Sequence, residues 1–494
     1  MMFWLLGCVC LLVFLYPILH DLYLIYIRGM PKGPLSLPVI GGVYCLNPKV
    51  PHLSLEKLGK QYGKIFSLRM GPMGRAVFLQ DINLVNQMFE SPDCHDRPDL
   101  PTFHEVNQGA DGIGSCSYGS RWKVMTKMFH RGLARLSTTS VEEKATNAYH
   151  QLTDMFASKG ASQTYYPRGD IIKACSAILS SMVYGIESES LDCPELKSRI
   201  HYHSMLMACL NPANPMNLIP ILWKLPSPIK TKLLKCIHER DKLFDQSFEN
   251  HAENYTGEIA DVLGIITDFE LNRESNDKNQ NILTKDLFLS TWTFYLAGCD
   301  TTTDSSMWIL LYLCVFPDVQ EKMREEIDSV FGSDAENILQ QKHKLNYTRA
   351  AILECLRLSS PIAIGLPNTT NRDLLIGGYN IPKGTALMAC QWHIHHDESH
   401  WPDPLKLKPE RFLDTDGTLY SNFHIFQKMP FIPFSRGKRP CLGQTIALDL
   451  LLIYVTLLLK KLTVMLPVGF KPDMSGKVHF NLRPDEFPIE CIVR

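Results

Sequence analysis

The chain has 494 residues, 45% apolar and 20% charged, which is globular composition with ample core material. Its 50 basic against 51 acidic side chains give a formal charge of −1, which excludes a general nucleic-acid binder and confines any basic surface to a patch. The 15 cysteines are scattered without a C-x-x-C pair, so neither a disulfide framework nor a zinc knuckle is indicated; they read as buried thiols of a reducing compartment.

Residues 1–19, MMFWLLGCVCLLVFLYPIL, carry no charge, and LYLIYI follows after only His20 and Asp21. That length suits a hydrocarbon span. No basic start and no small-residue cleavage site is present, so the segment reads as a retained signal anchor over 1–27. Arg28 and Lys32 follow it, which puts the main body on the cytosolic side. The proline- and glycine-rich stretch 28–42 predicts a stiff, extended stalk, and 43–494 a single body. A cytosolic body leaves the sequons at Asn254, Asn346 and Asn368 without glycan.

GKIFSLRMGPMGRAVFLQD alternates like two strands about a glycine-rich turn. Helical patterns dominate from Trp122 to about Phe331. The stretch from Leu283 to Phe316 is apolar nearly all round, which predicts a long helix buried through the middle of the body. YTRAAILECLRL is a further helix, and LLIGGYNIPKGTALMAC reads as hairpin strands with turns at Gly377-Gly378 and Pro382-Lys383-Gly384. The expected fold class is mainly α with a small β portion.

The chemistry centres on FIPFSRGKRPCLG, Phe431 to Gly443, just before the apolar run QTIALDLLLIYVTLLL. Gly437 and Gly443 allow close approach or unusual φ, and a helix starting after Cys441 would stabilise a thiolate through its free N–H groups. Phe434 covers one side, Arg439 offers a charged fork, and Pro440 stiffens the loop. No histidine base accompanies the cysteine, so a metal ligand beside a bulky anionic cofactor fits better than a nucleophile.

The pattern F-x-x-G-x-R-x-C-x-G is matched in full by Phe434, Gly437, Arg439, Cys441 and Gly443. The sequence resembles the cytochromes P450, over essentially the whole chain. The resemblance implies that fold, with haem b held between a long central helix and the cysteine loop, and Cys441 as the thiolate iron ligand whose electron donation favours O–O cleavage. Further landmarks agree with it. Glu354 and Arg357 lie at i and i+3 on one helix, and Arg411 in KPERF completes the family's structural Glu–Arg–Arg network. Ala297, Gly298, Asp300 and Thr301 match the A/G-G-x-D/E-T pattern, which implies that Thr301 bonds the iron-bound oxygen while Asp300 relays protons. Gly298 costs about 1 kcal/mol inside a helix, and a local widening to admit dioxygen is the expected reason.

Trp122 matches the family's propionate donor, and Arg439 is expected on the other propionate. Two positions depart from the pattern: Thr126 and Asn368 stand where basic partners are usual, so Lys123 or Lys127 is the expected substitute. Lys123, Lys127 and Arg131 recur at helical spacing on the helix that meets an acidic reductase in the family. No dinucleotide fingerprint or P-loop is present, so electrons must come from outside the chain; the resemblance implies NADPH-cytochrome P450 reductase as their source, with cytochrome b5 as a second donor. Phe103, Ile113, Phe294, Ile364, Leu366 and Phe480 map to the distal pocket, whose apolar character suits a lipophilic steroid, fatty acid or xenobiotic. His393, His395, His396 and His400 crowd together without a zinc motif. The implied protein is a monooxygenase of the endoplasmic reticulum membrane, using O2. A P450-fold isomerase or dehydratase, or a non-catalytic haem-binding membrane protein, are the rival readings.

Overall fold

The structure, a computed structural model, describes residues 4, 15–38, 40–71, 74–136, 138–160, 164–210, 220–254, 256–271, 284–332 and 335–494. Most of the uncharged N-terminal segment, 1–3 and 5–14, therefore lies outside the described residues. Among them, no helix is long and apolar enough to cross a membrane.

Ile65–Arg69 (β1) and Arg75–Leu79 (β2) pair antiparallel about the glycine-rich turn, and every residue in both strands is buried. Asn368–Thr369 (β3) and Ala386–Ala389 (β6) complete a four-stranded sheet of order β1-β2-β6-β3, in which β6 runs parallel to β2. Leu374–Ile376 (β4) and Tyr379–Ile381 (β5) form the hairpin expected around Gly377-Gly378. Leu462–Met465 (β7) pairs with Glu490–Val493 (β10), and Lys477–Val478 (β8) with Leu482–Arg483 (β9).

The remainder is mainly helical, as predicted. The helices that build the site are Pro101–Asn107 (α1), Ser120–Leu133 (α2), Arg168–Tyr184 (α3), Pro194–Leu210 (α4), Thr284–Val315 (α5), Asn346–Ser359 (α6) and Gln444–Lys461 (α7). Helix α5 is buried along most of its length and packs against α3, α6 and α7. An all-round apolar composition has no other place to go in water. Helix α7 follows directly on Gly443 and buries the run Leu450 to Leu459 in the same core.

The segment 28–42 is not an extended spacer standing away from the body. It lies on the sheet: Ser67 N–H donates to Lys32 O at 2.9 Å and Ser67 Oγ to Pro31 O at 2.5 Å. A Cβ on Gly33 would lie 1.7 Å from Ser67 O, so only glycine permits this approach. Ahead of it, the Asp21 carboxylate is buried and accepts from Arg69 Nε at 2.8 Å, from Arg75 Nη1 at 2.6 Å, and from the Ser36 hydroxyl. A carboxylate between two guanidiniums is a protein-facing arrangement rather than a lipid-facing one.

Candidate active site

The cysteine loop is set by its own backbone. Ser435 and Gly437 adopt φ of 62° and 81°, and a Cβ on Gly437 would come within 2.7 Å of Phe89 O. Gly443 has an ordinary φ of −88°, so its conformation does not demand glycine. A Cβ there would sit 4.0 Å from both Cys441 Sγ and Phe294 Cζ, which places the α5 phenyl ring beside the cysteine loop. Cys441 N–H donates to Phe434 O at 2.8 Å, and the Phe434 ring meets Phe426 edge to face at 6.0 Å. Arg436 pins the loop from below through Phe426 O and Met429 O at 2.8 and 2.7 Å.

Solvent reaches the Cys441 side chain, yet the surrounding protein pushes its thiol pKa up, against the pull of the Gly443 N–H. The expected lowering at the helix start is therefore not achieved by the protein alone, because one N–H does not offset desolvation. A metal cation at the sulfur would deprotonate it outright.

Glu354 and Arg357 are completely buried on α6, with Arg357 Nε and Nη2 on the two carboxylate oxygens at 2.7 and 2.8 Å. Arg411 Nε joins them at 3.1 Å, so the structure brings all three predicted residues together. Arg357 also donates to His395 O and Pro404 O, at 2.6 and 2.8 Å. His395 in turn contacts Ser360 Oγ at 2.8 Å and accepts from Ile432 N–H at 2.9 Å. This histidine ties α6 to the cysteine loop, a structural task that its sequence neighbours do not share.

On one rim of the loop, Arg439 stacks over the Trp122 ring at 4.9 Å and donates to Cys116 O. The sequence reading missed its companion, Arg97. Asn368 Oδ1 accepts from Arg97 Nη1 at 2.5 Å while its Nδ2 donates to Cys94 O at 2.7 Å. The departure at Asn368 is thus compensated: the amide holds an arginine instead of supplying a charge. Burial first, then mutual repulsion, lowers Arg97 to about 9; burial alone dominates in bringing Arg439 to about 10. Neither guanidinium bonds a carboxylate among the described residues, and Arg439 Nε is buried without a partner. His95, also unpartnered, is held near 4 by burial and by Arg439, Lys438 and Arg97. The DRP run at 96–98 was the available signal. Thr126 contributes only a buried, unbonded hydroxyl. Lys127 and Arg131 point to solvent, and the Lys123 amine lies over Tyr118 at 5.1 Å, so the half-buried Arg97 rather than a lysine is the second cation.

On the opposite side, α5 is α-helical without interruption, and the expected widening at Gly298 is absent. A Cβ on Gly298 would lie 2.8 Å from Leu179 Cδ1, so close packing on α3 explains the glycine. Ala297 and Thr301 share the face predicted, with Thr301 Oγ1 donating to Ala297 O at 2.7 Å. The Asp300 carboxylate turns to α4, where His203 Nε2 lies 3.0 Å away. Burial opposes its charge, but His203, Arg168 and Arg483 outweigh that and hold the carboxyl below its usual range. Of the pocket candidates, Ile113 is buried, its N–H bonded to Ser290 Oγ of α5 at 3.0 Å. Phe103 on α1, Phe294, Ile364 and Phe480 are half-buried, and Leu366 is exposed.

An accessible thiol near a phenyl ring, with one buried and one half-buried guanidinium close by that bond no carboxylate among the described residues, fits an iron porphyrin carrying carboxylates. The family described as Cytochrome P450 matches residues 31–490. The chain is 29% identical over 475 residues to the steroid 17-alpha-hydroxylase/17,20 lyase of Squalus acanthias, spanning 94% of this chain and 92% of that protein. Cytochrome P450 2U1 of Bos taurus is 31% identical, spanning 94% and 89%; human cytochrome P450 1A1 is 29% identical, spanning 90% and 88%. The chain belongs to the cytochrome P450 family. It is a haem-thiolate monooxygenase that uses O2 and a lipophilic substrate with electrons from a redox partner.

Proposed function

We propose that Cys441 ligates the haem iron, that Arg97, Arg439 and Trp122 hold the propionates, and that Asp300 and Thr301 move protons on the α5 side, toward hydroxylation of a steroid, fatty acid or xenobiotic. Bound haem supplies the redox chemistry that cleaves dioxygen and places one oxygen atom in the substrate. The chain's own residues do the rest. The Glu354–Arg357–Arg411 network and His395 fix the loop, the apolar wall around Ile113 and Phe294 excludes water, and the Thr301 hydroxyl, carried on the Ala297 carbonyl, takes and gives a proton. The observation that supports the assignment is that Cys441 Sγ and Phe294 Cζ of α5 each lie 4.0 Å from where a Gly443 Cβ would sit, so that thiol and α5 border the same space. The Asp300–Thr301 pair favours O2 chemistry over an isomerase or dehydratase. The test is the dithionite-reduced, carbon monoxide-bound spectrum, followed by product formation with NADPH. A thiolate-type, red-shifted Soret band with NADPH-dependent product is expected; a histidine-type band, or turnover without reductant, sinks the assignment.

We also infer attachment to the endoplasmic reticulum membrane through the N-terminal anchor, shortened from the expected 1–27 to residues 1–19 because Asp21 is buried between Arg69 and Arg75. Those 19 residues would span roughly 28 Å as a helix, about one hydrocarbon core. The buried Asp21 cluster then clasps the end of the anchor to the sheet. Asn254 is exposed whereas Asn368 is buried in bonds, so a glycan at Asn254 is the informative sign of reversed topology. The exposed Lys123, Lys127 and Arg131 stripe on α2 supports docking of NADPH-cytochrome P450 reductase, with cytochrome b5 on the same face. Lys127→Glu should raise the reductase concentration needed for half-maximal turnover.

A further inference from the structure

His203 has no place in the sequence motifs, yet it makes the direct contact to Asp300. It stands on α4, with its side chain 2% exposed, and its Nε2 lies 3.0 Å from Asp300 Oδ1. The ring is set edge-on to Tyr295 at 5.6 Å, and the Tyr295 hydroxyl is in turn bonded to Ser176 at 2.8 Å. The other ring nitrogen, Nδ1, is buried without a partner. Leaving a buried nitrogen unbonded forfeits its hydration, so a histidine here calls for a compensating interaction. Asp300 is that interaction.

We propose that His203 is a positioning residue for Asp300, holding the carboxylate turned toward α4 and charged until a proton is drawn through it. The proposal rests on the reading of Asp300 as the proton-relaying acid. Without His203, the carboxylate would face burial with only the more distant Arg168 and Arg483 in its favour. Arg168 is already engaged by Asp304, at 2.5 Å, and Asp304 also accepts from Asn481. Among the described residues, Cys299 Sγ on α5 lies within 4.8 Å of the His203 ring nitrogen and the Asp300 carboxylate, and Tyr184 on α3 and Arg199 on α4 lie further out around Tyr295. Burial keeps Cys299 a thiol and Tyr184 a phenol, and Arg199 bonds Ser188 at 3.2 Å. None of these replaces the imidazole.

The test compares wild type, His203→Ala, His203→Gln and Asp300→Asn as haem-loaded proteins, and needs no known substrate. Infrared difference spectra follow the protonated carboxyl band that Asp300→Asn removes. In parallel, O2 consumption and H2O2 release with NADPH and the reductase are measured from about pH 5 to 9. The Asp300 band should persist to higher pH in His203→Ala, by about one unit or more, with His203→Gln between because it keeps an N–H donor. The wild-type carboxyl, held below the usual carboxylate range, gives no limb of O2 reduction over these pH values; His203→Ala should bring one in from the acid side, and Asp300→Asn should lack it. A band that titrates in His203→Ala and His203→Gln as in wild type overturns the positioning role, whatever their stability. A limb that Asp300→Asn also shows overturns the acid reading instead, and the band still decides what His203 does.

Discussion

The two sides of the site use the same ingredients, carboxylates facing bases, in opposite ways. Beneath the cysteine loop, Glu354 and Arg357 are fully buried and saturated with partners, and Arg357 lies over the Trp401 ring at 5.1 Å as well. Along α5, Asp300 has one histidine, His203 Nδ1 has nothing, and Arg483 Nε is buried and unbonded. A saturated network cannot exchange a proton without losing a bond, so it holds geometry. An unsaturated one keeps a vacant nitrogen and a carboxylate whose charge rests on few partners, which suits a relay. The contrast separates what must stay still from what must change charge.

The largest effects should come from the still side. Cys441→Ser should abolish turnover and the thiolate-type Soret band; retained activity would dismiss the loop as the site. Arg357→Ala leaves a buried carboxylate short of its main partner and should cost about 3–5 kcal/mol in urea unfolding, with little holoprotein recovered. Arg357→Lys keeps the charge but not the fork and should fall between. Equal unfolding midpoints would break the comparison at its root.

The Arg97 pair offers a middle-sized test. Arg97→Ala removes a charge-assisted bond of about 1.5–3 kcal/mol from the proposed propionate rim, so haem should transfer to apomyoglobin roughly 10- to 100-fold faster. Asn368→Ala frees the guanidinium without removing it and should show a smaller acceleration. Equal rates in all three proteins would return the propionates to Trp122 and Arg439 alone.

The relay side should respond in chemistry rather than stability. Thr301→Val removes one helix-bonded hydroxyl, so unfolding should shift by only about 1 kcal/mol. H2O2 released per NADPH should nonetheless rise several-fold. A large loss of stability with unchanged peroxide yield would place Thr301 with the structural set.

What could be read from the sequence divides along similar lines. Features carried by residues close in the chain were legible: the ten-residue cysteine pattern, the Glu354–Arg357 spacing, the Ala297–Thr301 face, the hairpin at Gly377-Gly378. Features that need two distant segments were not, except Arg411 on Glu354, which the family resemblance supplied. His203 and Asp300 are 97 residues apart and Arg97 and Asn368 271 apart, so no local spacing marks either pair. Asn368 looked like a missing charge because its partner lay in another element. The Cys441 thiol was expected low because a helix start is visible in sequence and desolvation is not.

The smallest effect decides why α5 carries a glycine. Alanine at Gly298 gains about 1 kcal/mol in helix propensity. Against this, the new Cβ would lie 2.8 Å from Leu179 Cδ1, and Leu179 is buried with little room to turn. Overpacking typically costs about 1–3 kcal/mol, so Gly298→Ala should be destabilising by about 1 kcal/mol net. Leu179→Ala alone opens a cavity, and adding the Gly298 methyl fills part of it. The double variant should therefore be more stable than the sum of the singles, with a coupling measurable in urea unfolding. A glycine kept for a widened helix predicts the opposite pattern: no coupling to Leu179, and a change in O2 reduction at unaltered stability.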